Sequence, residues 1–442
     1  MKALRADLLD FTDEPAFGRP SAQGLRWRPD HWLLVGDDGC IAGARPGDWQ
    51  PGPEWQTEEH RGQLLLPGFV DTHVHCAQLD VVASWGSELI DWLERYTFPA
   101  EAAWADPGVA AAGSMRFLDA LLAGGTTAAL VFPTVHAASV DALFEAAHAR
   151  GMRVIAGKVL MDRHAPGVLC DDVEGARAQC EALIGRWHGQ GRCAYALTPR
   201  FAPTSTADQL AMAGDLCRAD ASLYLQTHVA ENRDEVAWVA RLFPEARSYL
   251  DVYDRRGLLH ARSVLAHGIW LDGDDRTRLH DSGAQIAFCP SSNLFLGSGL
   301  FDWAAAREAG IAVTLASDVG GGTHLAMPRT LADAYRVQAL RGTRVDAFSL
   351  LYTATLGAAR SLGLAHEIGH LGSGAAADVV LWDWAAADAA ARQRDAVARE
   401  RPGADWIARL HERLFAWMML ADDRNVAATW VHGVCRYRRP AF

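Results

Sequence analysis

The stretch LLLPGFVDTHVHCAQ, residues 64–78, decides how the rest of the chain is read. It opens as an apolar run, turns at Pro67-Gly68, and continues through Phe69 and Val70 to His73 and His75. Side chains alternate along a strand, so residues two apart share a face. His73 and His75 therefore point the same way, about 7 Å apart by the usual rise per residue. That spacing lets two imidazoles share one metal ion. An HxH pair is a weak signal by itself, and the plain alternative is a strand end with two solvated histidines. Here the pair closes an apolar run with Asp71 just ahead of it, so the surrounding sequence has to arbitrate.

Beyond this stretch a rhythm sets in, with apolar segments of strand length alternating with helical segments. The strand candidates are 64–75, 126–136, 153–162, 193–201, 222–231, 263–271, 285–293 and 312–320. Near-continuous apolar strands alternating with helices imply a parallel sheet covered on its faces. The helical segments include DALFEAAHAR (141–150) and ADQLAMAGDLCRA (207–219), the second with Ser205 and Thr206 as capping candidates. Eight such units predict a closed (β/α)8 TIM barrel. A doubly wound open sheet is the other option, but it would show a GxGxxG turn after the first strand. HVHCAQ stands there instead.

On either side of the barrel the rhythm differs. Residues 1–62 read as short strands and turns. After about 375 come a strand (377–383), an Ala-rich polar stretch, a helix (405–423) and a final strand (429–439). The expected organisation is 1–62 and 376–442 joined in one small β-sandwich module, with the catalytic barrel at 63–375 between them. The apolar face of Leu414, Trp417 and Met418 serves either as core or as a subunit contact.

The chain has 442 residues, a net charge of -12 and eight cysteines, none in a CxxC. The negative charge disfavours a nucleic-acid backbone or an anionic membrane as partner. It leaves room for a single nucleobase, which carries no phosphate. Scattered thiols without a framework point to a reducing compartment. With no signal-peptide pattern at the N-terminus and no run long enough to span a membrane, a cytoplasmic protein is expected.

In a (β/α)8 barrel the active site forms at the C-terminal strand ends. Those ends carry His73, His75 and Gln78 on strand one, Arg200 on strand four, His228 and Glu231 on strand five, His267 on strand six and Asp318 on strand eight. Each has an ordinary reading. A histidine can be a satisfied rim residue, Asp318 can start a turn before Val319-Gly320-Gly321-Gly322, Glu231-Asn232 can cap a helix, and Arg200 can form a rim salt bridge. Those readings would have to coincide on several strands at once. Imidazole and carboxylate ligands suit Zn²⁺, or Fe²⁺, and such an ion lowers the pKa of bound water to about 7. A nearby carboxylate off the metal can shuttle protons, and Glu231 is the choice. Cys76 faces away from the histidines on the strand alternation. The glycine run is a loop rather than a phosphate cradle, since no Lys-Ser/Thr follows.

The constellation resembles the amidohydrolase superfamily, with HxH on strand one, histidines on strands five and six, and aspartate on strand eight. Strand four ends in ALTPRF without a lysine, which matches the mononuclear, deaminase-type branch. The resemblance implies one metal ion per subunit, Zn²⁺ or Fe²⁺, held by His73, His75, His228 and Asp318. It implies that His267 contacts the nucleophile or the substrate.

HVHCAQ, LIDWLERYTFPAE (89–101), MDRHAP (161–166), YALTPRFAPTST (195–206), THVAEN (227–232), FCPSSNLFLGSGLFD (288–302) and SDVGGGT (317–323) together are similar to the guanine deaminase family. This implies Glu231, Asp318 and His267 as catalytic residues and a homodimeric hydrolase acting on a purine base. Gln78, Arg200 and Phe201 would recognise the base, and Trp92 would line the pocket. The residues agree with that substrate. A guanidinium only donates hydrogen bonds, so Arg200 suits a ring carbonyl better than an amino group. Phe201 can pack on a flat ring or be barrel core. His164 and His324 depart from the family pattern near the rim. A deaminase of another amino-azine, of cytosine or triazine type, and a non-catalytic metal-binding barrel stay open at this level.

Overall fold

The structure, a computed structural model, describes residues 1–86, 89–386 and 388–440; residue 387 and the last two residues of the C-terminal module lie outside it. Alternating runs in the first part of the chain form β1 (Lys2–Phe11), β2 (Leu25–Val35), β3 (Ile41–Pro46) and β4 (Gln56–Pro67). The apolar segments that follow form β5 (Phe69–His75), β6 (Thr126–Phe132), β7 (Arg153–Ala156), β8 (Val159–Leu160) and β9 (Cys193–Pro199). They continue as β10 (Tyr224–Val229), β11 (Ser263–His267), β12 (Gln285–Phe288) and β13 (Val313–Leu315). The C-terminal part adds β14 (Val379–Trp382), β15 (Val426–Val431) and β16 (Val434–Arg438).

Two sheets result. Eight parallel strands run in the order β13-β12-β11-β10-β9-β7-β6-β5, as the strand–helix rhythm predicts. The ends of this row meet: Asp318 N–H donates to the His73 carbonyl at 2.9 Å and His75 N–H to the Val319 carbonyl at 2.8 Å. The Thr72 and Thr314 hydroxyls lie 2.8 Å apart beneath them. The predicted third strand is broken between β7 and β8 at Gly157-Lys158. A Cβ on Gly157 would sit 1.8 Å from the Ala196 carbonyl oxygen, so the backbone passes there only without a side chain. The predicted seventh strand stops at Phe288, because Pro290 starts a helix (Pro290–Phe295) with its fixed φ.

The second sheet runs β16-β15-β14-β4-β1-β2-β3, with both chain ends in it. β4 lies parallel to β1 and antiparallel to β14. Leu8 and Leu33 from one flank and Val379, Ala428 and Trp430 from the other share one buried cluster. Ile41 N–H donates to the Ala375 carbonyl at 2.8 Å, so the sheet folds over and its flanks form two layers around that core. The expected final strand is two strands joined at His432 and Gly433, whose φ values of 47° and 72° make a tight two-residue turn. The Ala-rich stretch holds a helix, Ala389–Arg399, capped by Asp388. Leu414, Trp417 and Met418 are buried on the helix Trp406–Leu420, with Trp417 edge-on to Trp382 at 5.0 Å.

By contact density the chain divides into two compact units, 1–71 with 119–128 and 326–442, and 72–118 with 129–325. None of the eight cysteines is held in a disulfide. No described helix is long and apolar enough to cross a membrane.

Candidate active site

Every residue singled out at the strand ends lies in the second compact unit, and the strands bring them together. His73, His75, His228 and Asp318 each offer a ligand atom within one group of atoms no more than 4.8 Å apart. The Nε2 atoms of His73 and His75 are 3.2 Å apart, and those of His75 and His228 are 3.3 Å apart. Asp318 Oδ1 is 3.2 Å from His73 Nε2 and 3.3 Å from His75 Nε2. Metal–ligand bonds of 2.0–2.1 Å in a tetrahedron put neighbouring ligands about 3.3–3.4 Å apart. The observed separations match that edge.

The protons agree with a metal site. His228 Nδ1 is 2.7 Å from the Arg200 carbonyl, which only accepts, so Nδ1 carries the proton and Nε2 keeps its lone pair. Burial, followed by the charges of His73 and His75, holds His228 well below the usual histidine range. Burial lowers His75 to about 4. For Asp318 burial works upward, but His73, by charge and hydrogen bond, and His75 outweigh it and hold the carboxyl well below 3.8. Neutral imidazoles at His75 and His228 and an ionised carboxylate at Asp318 are the protonation states that a divalent cation takes. A second grouping, His73, His267, Cys289 and Asp318, also falls within reach of one ion. There the Cys289 thiol donates to the Ala287 carbonyl at 3.3 Å, so it is not a thiolate ligand. Burial, followed by the charge of Glu101, pushes the Cys76 thiol far up, as befits a structural cysteine.

Three strand ends bend into the site through left-handed backbone. Ala230, His267 and Asp318 have φ values of 47°, 71° and 50°, a region that non-glycine residues enter at a cost of about 1–3 kcal/mol. The bend at Ala230 separates two adjacent roles. Asn232 caps the helix Arg233–Leu242, as its ordinary reading has it, while Glu231 lines the cavity. Glu235 accepts the Glu231 backbone N–H at 2.9 Å and fixes this corner. The Ser298 hydroxyl donates to Glu231 Oε1 at 2.9 Å, and Oε2 lies 3.5 Å from His267 Nε2. His267 Nε2 is also 3.7 Å from Asp318 Oδ2. Its Nδ1–H donates to Asn293 Oδ1 at 2.8 Å, which leaves Nε2 facing the two carboxylates. Burial, and secondly the charge of Asp318, raises Glu231 from 4.5 to about 8. A dication on the four ligands acts in the opposite direction.

The cavity above the ligands opens to solvent and is lined by Gln78, Trp92, Arg200, Phe201, Glu231 and His267 among others. Phe201 serves both of its readings, since it lines the cavity and also belongs to a buried apolar cluster. Trp92 is 3% exposed, and its Nε1–H has no partner among the described residues. Arg200 is no rim residue: it is buried, and its Nη1 lies 2.7 and 2.6 Å from the two carboxylate oxygens of Glu101. Gly320 uses its N–H on Gln78 Oε1 at 3.2 Å. His164 and His324 do not line the cavity. His164 bonds the Pro203 carbonyl at 2.8 Å and packs on Trp238, while His324 Nε2 sits 3.4 Å from the Ser291 hydroxyl.

Sequence reasoning missed four residues. Phe132 ends β6 under the ligands, 4.8, 4.7 and 5.0 Å from the rings of His73, His75 and His228. Asn293, Ser298 and Glu101 hold His267, Glu231 and the Gln78–Arg200 pair.

The comparisons with known proteins fit this arrangement. Residues 64–435 match the model of the amidohydrolase family. Guanine deaminase of Escherichia coli strain K12 is 41% identical over 99% of this chain and 98% of its own length. Its solved structure superposes with a TM-score of 0.92 over 99% of both chains. Guanine deaminase from Bradyrhizobium japonicum gives 0.93 at 32% identity over 99% of both chains. Guanine deaminase from C. acetobutylicum, solved with guanine bound in its active site, gives 0.85 at 25% identity over 99% of this chain and 100% of that one. A match over residues 64–435, with 41% identity along nearly the whole of a relative, leaves one assignment: this chain belongs to the amidohydrolase family.

Proposed function

We propose that this protein is a metal-dependent hydrolase that deaminates guanine, giving xanthine and ammonia. One observation carries the reading. A donor-only guanidinium, an amide and an acid–base carboxylate face one cavity above a four-ligand metal site, in a chain that aligns with a guanine deaminase along nearly its whole length. In this reading the catalytic barrel spans 63–375.

His73, His75, His228 and Asp318 would hold one Zn²⁺, with Fe²⁺ as the other ion that such a donor set accepts. A divalent cation there supplies hydroxide from water near neutral pH. The guanidinium of Arg200 donates through Nε and Nη2 to the ring carbonyl. Gln78 bonds the adjacent edge, and Phe201 and Trp92 pack on the ring faces. Glu231 takes one proton of the attacking water and delivers it to the ring nitrogen beside the amino-bearing carbon. The water oxygen bonds to that carbon, and the C=N π pair moves to the nitrogen just protonated. His267 aligns the attacking oxygen through Nε2. The amino nitrogen then takes the second water proton through Asp318 and Glu231. Its bond to carbon breaks, ammonia leaves, and the oxygen remains as the new carbonyl of xanthine.

Ammonia release tests the reading, with guanine, guanosine, adenine and cytosine supplied to the purified protein before and after chelation. Turnover of guanine alone, abolished by chelation and restored by added zinc, is the expected result. Turnover confined to another base would move the substrate, and a fully metal-loaded protein inert on every base would overturn the enzymatic reading. Trp92→Phe removes a lone indole donor while keeping an aromatic face. We expect KM for guanine to rise roughly 3- to 10-fold, the value of about one aromatic contact, with kcat within about twofold in steady-state assays.

A further inference from the structure

Glu101 is 0% exposed, and no step of the deamination uses it. It sits on the short helix Phe98–Ala102 and touches both groups assigned to the purine edge. Its Oε1 accepts from Gln78 Nε2 at 2.8 Å and from Arg200 Nη1 at 2.7 Å, and its Oε2 accepts from Arg200 Nη1 at 2.6 Å. On the other side of Gln78, Oε1 accepts the Gly320 N–H at 3.2 Å.

A carboxylate only accepts and a backbone N–H only donates. The Gln78 amide therefore cannot turn over without placing donor against donor at Gly320 and acceptor against acceptor at Glu101. Arg200 is held in a similar way. Nη1 is used on Glu101, while Nε and Nη2 have no protein partner among the described residues and remain for a ligand. The arrangement presents a fixed set of hydrogen-bonding groups in which donors from Arg200 meet the ligand. A ring edge with an acceptor satisfies them. A ring edge with an amino group there sets N–H against N–H and leaves buried donors unmatched, which is how a polar site rejects a near-isostere.

We propose that Glu101 is the positioning residue that holds the Gln78 amide and the Arg200 donors in this one orientation, and so sharpens the choice of a keto purine over an amino purine. The inference rests on the guanine reading above. Glu101→Gln keeps the size of the side chain but removes the charge and adds a donor, so Arg200 loses its anchor and only the Gly320 N–H still orients Gln78.

The test compares guanine with 2,6-diaminopurine, which has an amino group where guanine has its carbonyl, at equal metal content. For Glu101→Gln we expect KM for guanine to rise about 10- to 100-fold with kcat within about threefold. The preference for guanine over 2,6-diaminopurine, as a ratio of kcat/KM, should fall at least about tenfold. A merely structural role would lower both substrates by the same factor, and that result would overturn the inference. Glu101→Asp keeps an acceptor-only group and should raise KM while retaining the preference. If the Gln variant does not fold, the Asp variant decides, and loss of preference there counts against the proposal. Wild-type protein inert toward guanine would sink the underlying reading and this inference with it. Wild-type turnover with parallel losses in the variants would sink the inference alone.

Discussion

Glu231→Gln is expected to lower kcat for guanine by about 10²- to 10⁴-fold, the range for loss of a general acid–base group. The amide can still accept from the Ser298 hydroxyl, which lies 2.9 Å from Oε1, so shape and packing persist while proton transfer does not. Metal content by elemental analysis should stay at the wild-type level, because the four ligands are untouched. A folded, metal-loaded variant with near wild-type turnover would end the assigned role. The same substitution has a stability signature of opposite sign. In the metal-free protein the Glu231 carboxyl is raised from 4.5 to about 8, so the folded state binds the proton more tightly than the unfolded state. The resulting cost to stability is absent below about 4.5, grows across the interval and is complete above about 8. Its size is of order a few kcal/mol. Thermal unfolding of apo protein should therefore show the variant gaining on wild type at pH 8 and little at pH 5.

The second large effect is expected from Asp318→Asn. Asparagine fills the same space and tolerates the left-handed backbone at φ 50°, so strain and ligation can be told apart. The neutral amide removes the anionic ligand and the proton acceptor together. Bound metal should drop well below one ion per chain, and kcat/KM for guanine should fall by at least about 10³-fold. Asp318→Ala should lose the same activity and a further ~1–2 kcal/mol of stability, because alanine is strained in that backbone region. Wild-type Asp318 has a folded pKa well below 3.8. Its contribution to stability is present above that value and disappears as pH falls through the depressed one. The Asn variant should lack this acid-side loss. Full metal occupancy in either variant would remove Asp318 from the ligand set.

The barrel and its ligands were legible because their signals are local. Apolar strands alternate with amphipathic helices, and each ligand ends such a strand. Glu101 was not legible in the same way. It contacts Gln78 from 23 positions away and Arg200 from 99 positions away, and no periodicity links residues at those separations. Phe132 reads as one more apolar strand residue until three imidazole rings are seen against it. Asn293 and Ser298 hid in a segment read as strand and loop, where Pro290 in fact opens a helix. The hairpin at His432-Gly433 was missed because His-Gly is not one of the usual two-residue hairpin pairs. The helix Ala389–Arg399 was missed because its apolar residues are alanines and a single valine, too small to mark a helical stripe.

The central strand of the seven-stranded sheet has a consequence for synthesis of the chain. β4 pairs with β1 on one side from Gln56 through Leu65, and with β14 on the other side through Leu64–Pro67. Roughly 300 residues separate those partners, and at about 5–20 residues per second the ribosome needs roughly 15 s to 1 min to supply the second. Throughout that interval Leu64, Leu65 and Leu66 form an open apolar edge, of the kind that recruits other strands. A nascent or C-terminally shortened chain is thus a substrate for chaperones, and expression yield should depend on the last sixty-odd residues well before catalysis does.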